Sequence, residues 1–160
     1  MKTFLLTLIL VAVFCIAVQA DDWPYGIHGI GPRVGVTSDP DQLRFGGQID
    51  LGDIAPNLML VPNLEIGVGD DITTTAPTMD LDYRFRSDFE AWAPYVGAGV
   101  GPIFYSPRFG NDHTNLGVYV QGGIAKQMSS ISPGRFFMEM RAGVANSPDV
   151  ALTLGWTFGR

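Results

Sequence analysis

The chain has 160 residues, ten Lys plus Arg against sixteen Asp plus Glu, and one cysteine, Cys15. An acidic chain is poorly suited to nucleic acid, and a lone thiol forms no internal disulfide and no cysteine-ligated metal site. Beyond the first twenty residues no run reaches the ~18 apolar residues of a membrane helix, so any crossing of a membrane falls to strands.

Met1, Lys2 and Thr3 form a short positive region, Phe4 to Val18 is apolar, and Val18-Gln19-Ala20 is a small-x-small cleavage site followed by Asp21-Asp22. This pattern predicts a secretory signal peptide over 1–20. A lipoprotein signal would place a small residue before the cysteine, and Phe14 stands there instead. Removing Lys2 with the signal leaves nine basic against sixteen acidic residues, a net charge of −7. The expected division is a signal at 1–20, an N-terminal segment at 21–30 and one barrel domain at 31–160.

No stretch carries a long helical stripe. Apolar residues instead recur at every second position, the period of a strand with two unlike faces. The first predicted strand runs from Gly31 to Ser38 and ends at the turn Asp39-Pro40-Asp41. The second, Leu43 to Leu51, sets Leu43, Phe45, Ile49 and Leu51 against Arg44, Gly46, Gln48 and Asp50. After a turn over Gly52 to Asn57, the third covers Leu58 to Val68, with Glu65 on its polar face. A turn from Gly69 is read as extending to Pro77. The fourth strand, Thr78 to Phe85, sets Met79, Leu81, Tyr83 and Phe85 against Thr78, Asp80, Asp82 and Arg84.

The fifth strand, Pro94 to Tyr105, opposes Val96, Ala98, Val100 and Phe104 to the row Gly97, Gly99 and Gly101. Such a row suits a narrow lumen, leaving space for long side chains from opposite strands. Ser106 to Thr114 reads as a polar loop. The sixth strand is Asn115 to Lys126, and the seventh, Phe136 to Ala145, carries Glu139 and Arg141 on its polar face. The last alternates most clearly: Val150, Leu152, Leu154, Trp156 and Phe158 against Ala151, Thr153, Gly155 and Thr157. Pro62 and Pro102 fall inside these strands and are expected at bulges or strand ends.

Eight strands is the smallest number of a transmembrane barrel, and ten residues tilted ~45° cross roughly 23 Å. The fold expected is therefore all-β, an eight-stranded antiparallel up-and-down transmembrane barrel. The polar face carries Arg33, Arg44, Asp50, Glu65, Asp80, Asp82, Arg84, Glu139 and Arg141. One Arg on the lipid side costs ~2–4 kcal/mol near the midplane. Four would cost on the order of 10 kcal/mol, comparable with a domain's whole stability. In a membrane the charged face is thus the lumen. Tyr83, Phe85, Phe104, Trp156 and Phe158 sit near strand ends, where interfacial girdles form.

The segment Pro94-Tyr95-Val96-Gly97-Ala98-Gly99-Val100-Gly101 and the closing Leu154-Gly155-Trp156-Thr157-Phe158 resemble the small outer-membrane β-barrel proteins of the OmpA-like class. The resemblance spans Gly31 to Phe158. It implies an outer-membrane location, contact with outer-membrane lipid, and recognition of the final aromatic strand by the barrel insertion machinery. Here Phe158 is followed by Gly159-Arg160, whereas the class usually ends on its aromatic.

An eight-stranded interior is filled by side chains, so the expected architecture is porin-like without a wide pore. The expected role is structural or interaction-based, without catalysis, cofactor or metal. One rival is a soluble periplasmic lipocalin-like barrel holding an apolar ligand, with the apolar face turned inward. Another is a lipid-modifying outer-membrane enzyme, for which His28 or His113 would need a serine and a carboxylate. Ser106 and Asp112 share the loop with His113, but no spacing puts a serine and a histidine on one strand face. Asp39, Asp41, Asp70 and Asp71 have ordinary turn chemistry. They lack the dense oxygen ligands of a calcium loop.

Overall fold

The computed structural model describes residues 26–85, 92–128 and 134–159. The expected signal peptide and its cleavage site lie outside the described residues. The chain forms β1 (Gly29–Ser38), β2 (Gln42–Asp50), β3 (Asp53–Ala55), β4 (Leu58–Val68), β5 (Ile72–Arg84), β6 (Trp92–Pro107), β7 (His113–Gln127), β8 (Gly134–Ala145) and β9 (Val150–Gly159). β3 pairs only with β4. The other eight strands run β2-β1-β9-β8-β7-β6-β5-β4, and β2 pairs with β4 to close the ring. Every pairing is antiparallel. This is the eight-stranded up-and-down barrel that the alternation predicts, and closure leaves no free edge.

The alternation becomes inside against outside. In β9, Ala151, Thr153 and Thr157 are buried while Val150, Leu152, Leu154 and Phe158 are exposed. In β5, Thr74, Ala76, Thr78, Asp80 and Asp82 are buried and Met79, Leu81 and Tyr83 exposed. Among the described residues the apolar core is therefore small, a cluster of Tyr95, Ala125 and Phe137.

Several boundaries differ from those expected. β1 starts at Gly29, two residues early. β3 forms inside what reads as a turn. β5 starts at Ile72, not Thr78, because the β-branched run Thr73-Thr74-Thr75 continues the ladder with β4 up to Thr73–Val68. β6 and β7 reach further than expected, so the loop between them shrinks to 108–112 and His113 opens a strand.

The prolines also differ from expectation: Pro62 and Pro102 lie within strands, at neither a bulge nor an end. Leu60 donates its N–H to Gly52 O and accepts from Leu51 N–H. By alternation Pro62 faces the same neighbour, just past the last β2–β4 pair, Gln48–Asn63. Pro102 is accommodated differently. The β5–β6 pairs Thr75–Phe104 and Met79–Val100 share one register with the ladder absent between them, which sets Pro77 opposite Pro102. Phe85 N–H donates to Pro94 O at the end of this seam. Alternate residues counted from there, including both prolines, direct their backbone polar groups across it. Each proline lacks the N–H that would bond the other's carbonyl, so the ladder is interrupted here and resumes in the same register on either side.

The lumenal glycines make room, but for neighbours and not for opposite strands. A Cβ at Gly99 would collide with the Tyr119 ring and the Asp80 carboxylate, and one at Gly97 with Asp82. The Tyr95 ring likewise covers Gly123, and the Phe137 ring covers Gly155. Each ring-covered glycine is the direct register partner of its aromatic, so the ring fills the space that the missing side chain leaves.

Candidate functional site

Six charged side chains from five strands meet in the middle of the lumen: Arg33 of β1, Arg44 of β2, Glu65 of β4, Asp80 of β5, and Glu139 and Arg141 of β8. Alternation turns each inward. Arg141 is the most connected. Its Nε donates to Glu139 Oε1 at 2.8 Å, Nη2 to Asp80 Oδ2 at 2.9 Å and Nη1 to Glu65 Oε2 at 3.3 Å. Its guanidinium lies 4.5 Å from the centre of the Tyr119 ring, a cation–π contact.

Arg33 Nη2 donates to Glu139 Oε1 at 2.6 Å. Its Nε lies 2.7 Å from Glu65 Oε1, although the N–H is not aimed at that oxygen. Arg44 Nη2 sits 2.6 Å from Glu65 Oε2. These side chains are 1–9% exposed. Buried charges persist at such burial only when paired and hydrogen-bonded. Neutral partners complete the pairing. Tyr95 donates to Glu139 Oε2 at 2.8 Å, Asn63 Nδ2 to Asp80 Oδ2 at 2.9 Å, and the Tyr119 hydroxyl to Asp80. Gln121 Nε2 donates to Asp82 Oδ1 at 2.5 Å, bringing Asp82 into the group.

Two of the nine charges expected in the lumen stand apart from this network. Asp50 pairs with Arg135 at 3.2 Å, and Arg84 pairs with Asp53 of β3 in a half-exposed position. Both pairs line a mouth of about 320 Å³ at the end carrying Gly29 and Gly159, together with His28 and Gln127. Deeper in, the free space falls to about 20 Å³, room for about one water. The lumen is a shallow vestibule over a packed ionic floor.

The histidines lie at opposite ends. His28 lines the mouth with its ring against Gly52, while His113 stacks on Tyr105 at 4.8 Å between ring centres. Of the expected interfacial aromatics, Tyr83, Phe85, Trp156 and Phe158 gather at the mouth end; Phe104 lies toward the other. Tyr83 meets Phe85 edge-on at 5.3 Å, and Trp156 lies 5.9 Å from Phe158. Phe136, 6.2 Å from Trp156, extends this cluster.

Sequence parity finds the charges but misses the neutral residues that satisfy them. Tyr119 and Gln121 lie on the expected polar face, yet nothing in their spacing marks them as partners of Asp80 and Asp82. The one available signal is the glycine row of β6, over which they reach.

No family model and no curated protein sequence matches this chain. Solved structures do. The N-terminal β-barrel domain of Pseudomonas aeruginosa OprF aligns at a TM-score of 0.59 and 13% identity, over 83% of this chain and 98% of that one. Neisserial surface protein A aligns at 0.54 and 16% identity, over 82% and 94%. A designed transmembrane β-barrel aligns at 0.53 and 13% identity, over 83% and 96%. The fold is that of the small eight-stranded outer-membrane barrels.

Proposed function

We propose that this protein is an exported outer-membrane barrel with a structural or interaction role and no catalysis, its wall in lipid and its lumen closed by the ion-pair network. The observation that carries this reading is the inversion of polarity. Val34, Phe45, Leu64, Leu81, Val96, Val120, Met140 and Leu152, one from each wall strand, are all exposed, while six charges are packed inside. In water such a continuous apolar wall is a liability. In a bilayer it is the favourable face. A lipocalin-like ligand barrel needs those side chains to line a cavity, and they point away from it.

The free space beside the ion pairs narrows to about 20 Å³, which favours a structural role over diffusion. The connections at the end away from the mouth, 39–41, 69–71, 108–112 and 146–149, are short. They present little surface for adhesion, so the wall and the vestibule remain as contact surfaces. Phe158 stands exposed on the outer face one residue before the end of the closing strand, a position suited to recognition by the insertion machinery. Fractionation of expressing cells tests the reading. The protein should sediment with outer membranes, require detergent, and migrate differently on gels when unboiled. A soluble, detergent-free monomer would overturn it.

A further inference from the structure

The β5–β6 seam is the place where the wall loses two opposed backbone donors at once, because Pro77 faces Pro102. Next to this gap, where the β5–β6 ladder resumes at Met79–Val100, the wall is also bridged from inside. Register places Asp82, Gly97 and Gln121 in one row across β5, β6 and β7, and Asp80, Gly99 and Tyr119 in the next. In each row an acid on β5 and a donor on β7 flank a glycine on β6. Gln121 reaches over Gly97 to Asp82 at 2.5 Å. Tyr119 reaches over Gly99 to Asp80, and its hydroxyl lies 2.8 Å from Thr78 Oγ1. A side chain at either glycine would occupy the space these bonds cross.

We propose that the β5–β6 seam is a built-in line of parting in the barrel wall, held shut from the lumen by Tyr119 and Gln121 bonding across β6 to β5. The seam lacks the two backbone bonds that would otherwise zip it continuously. At the edge of the gap the Tyr119 hydroxyl, 2.8 Å from Thr78 Oγ1, ties β7 to β5 from inside the lumen. Losing the Tyr119 hydroxyl would loosen β5 against β6 beside the gap while leaving β6 attached to β7.

Amide hydrogen exchange of the full folded protein in detergent, read residue by residue by NMR, tests this within one strand. The N–H groups of Val100 and Phe104 point across the seam to β5, and those of Gly99 and Gly101 point to β7. In the unmodified protein the first pair should exchange faster than the second. Tyr119→Phe keeps the ring over Gly99 and removes the bonds. It should accelerate Val100 and Phe104 by about fivefold or more, the effect of a typical hydrogen bond, with Gly99 and Gly101 little changed. Pro77→Val with Pro102→Val restores both donors and should slow Val100 and Phe104. Equal rates for the two pairs in the unmodified protein would overturn the proposal. So would acceleration of both pairs alike in Tyr119→Phe. Should that variant fail to fold, the unmodified protein and the double proline variant still decide.

Discussion

Removing the Arg141 guanidinium would deprive Glu139, Asp80 and Glu65 of a donor in one step. Arg33 remains beside all three acids, with its Nη2 already donating to Glu139. Breaking a buried ion pair from one side costs ~3–5 kcal/mol, because the remaining charge is left uncompensated. Arg108, in the 108–112 connection over the exposed ring of Phe109, is a surface residue whose loss costs within about 0.5 kcal/mol. Arg141→Ala should therefore lower the unfolding midpoint in detergent well below that of Arg108→Ala; coincident midpoints would mean the lumen solvates its charges. At this scale the sequence is half legible. Parity alone places Arg33, Arg44, Glu65, Asp80, Glu139 and Arg141 on one face, since every second side chain must share it. It cannot pair them, because the register that brings β1, β4 and β8 together is fixed by closure of the whole sheet.

β9 is the element whose reading transfers most directly, since a large-against-small alternation over nine residues admits one orientation in lipid. Its end carries the Phe136, Trp156 and Phe158 cluster. Phe158→Asp should sharply reduce the fraction of heat-modifiable barrel in membranes, because it removes the aromatic proposed for recognition and places a charge on the exposed outer face. Undiminished yield of that variant would separate assembly from this residue. β5 shows where reading by element fails. Gly69-Asp70-Asp71 signals a turn and Pro77 signals a break, so the segment between them reads as loop. Yet Thr73 to Thr75 are good strand formers, and the ladder with β6 keeps one register on both sides of Pro77. The facing of Pro77 and Pro102 involves residues twenty-five positions apart and has no local signature. The glycine row of β6 was legible as a spacing device, but the side chains it admits come from adjacent β5 and β7.

For the whole molecule, the sequence specifies architecture through a single contrast, apolar against polar at period two, repeated eight times. The contrast leaves open which side is out, because a soluble barrel and a membrane barrel share the pattern. The structure places the apolar side outward on every wall strand and fills the interior with ion pairs. The central claim is therefore that the period-two pattern of β9 is a lipid-against-lumen pattern. Nitroxide scanning tests it most directly, since the only native cysteine, Cys15, lies in the expected signal peptide. Single-cysteine substitutions from Val150 to Leu154 would be spin-labelled in the protein reconstituted into bilayers. Labels at Val150, Leu152 and Leu154 should be readily accessible to oxygen and shielded from a water-soluble nickel complex. Labels at Ala151 and Thr153 should be shielded from both. Strong nickel accessibility at Leu152 and Leu154, or no alternation along the strand, would contradict the account.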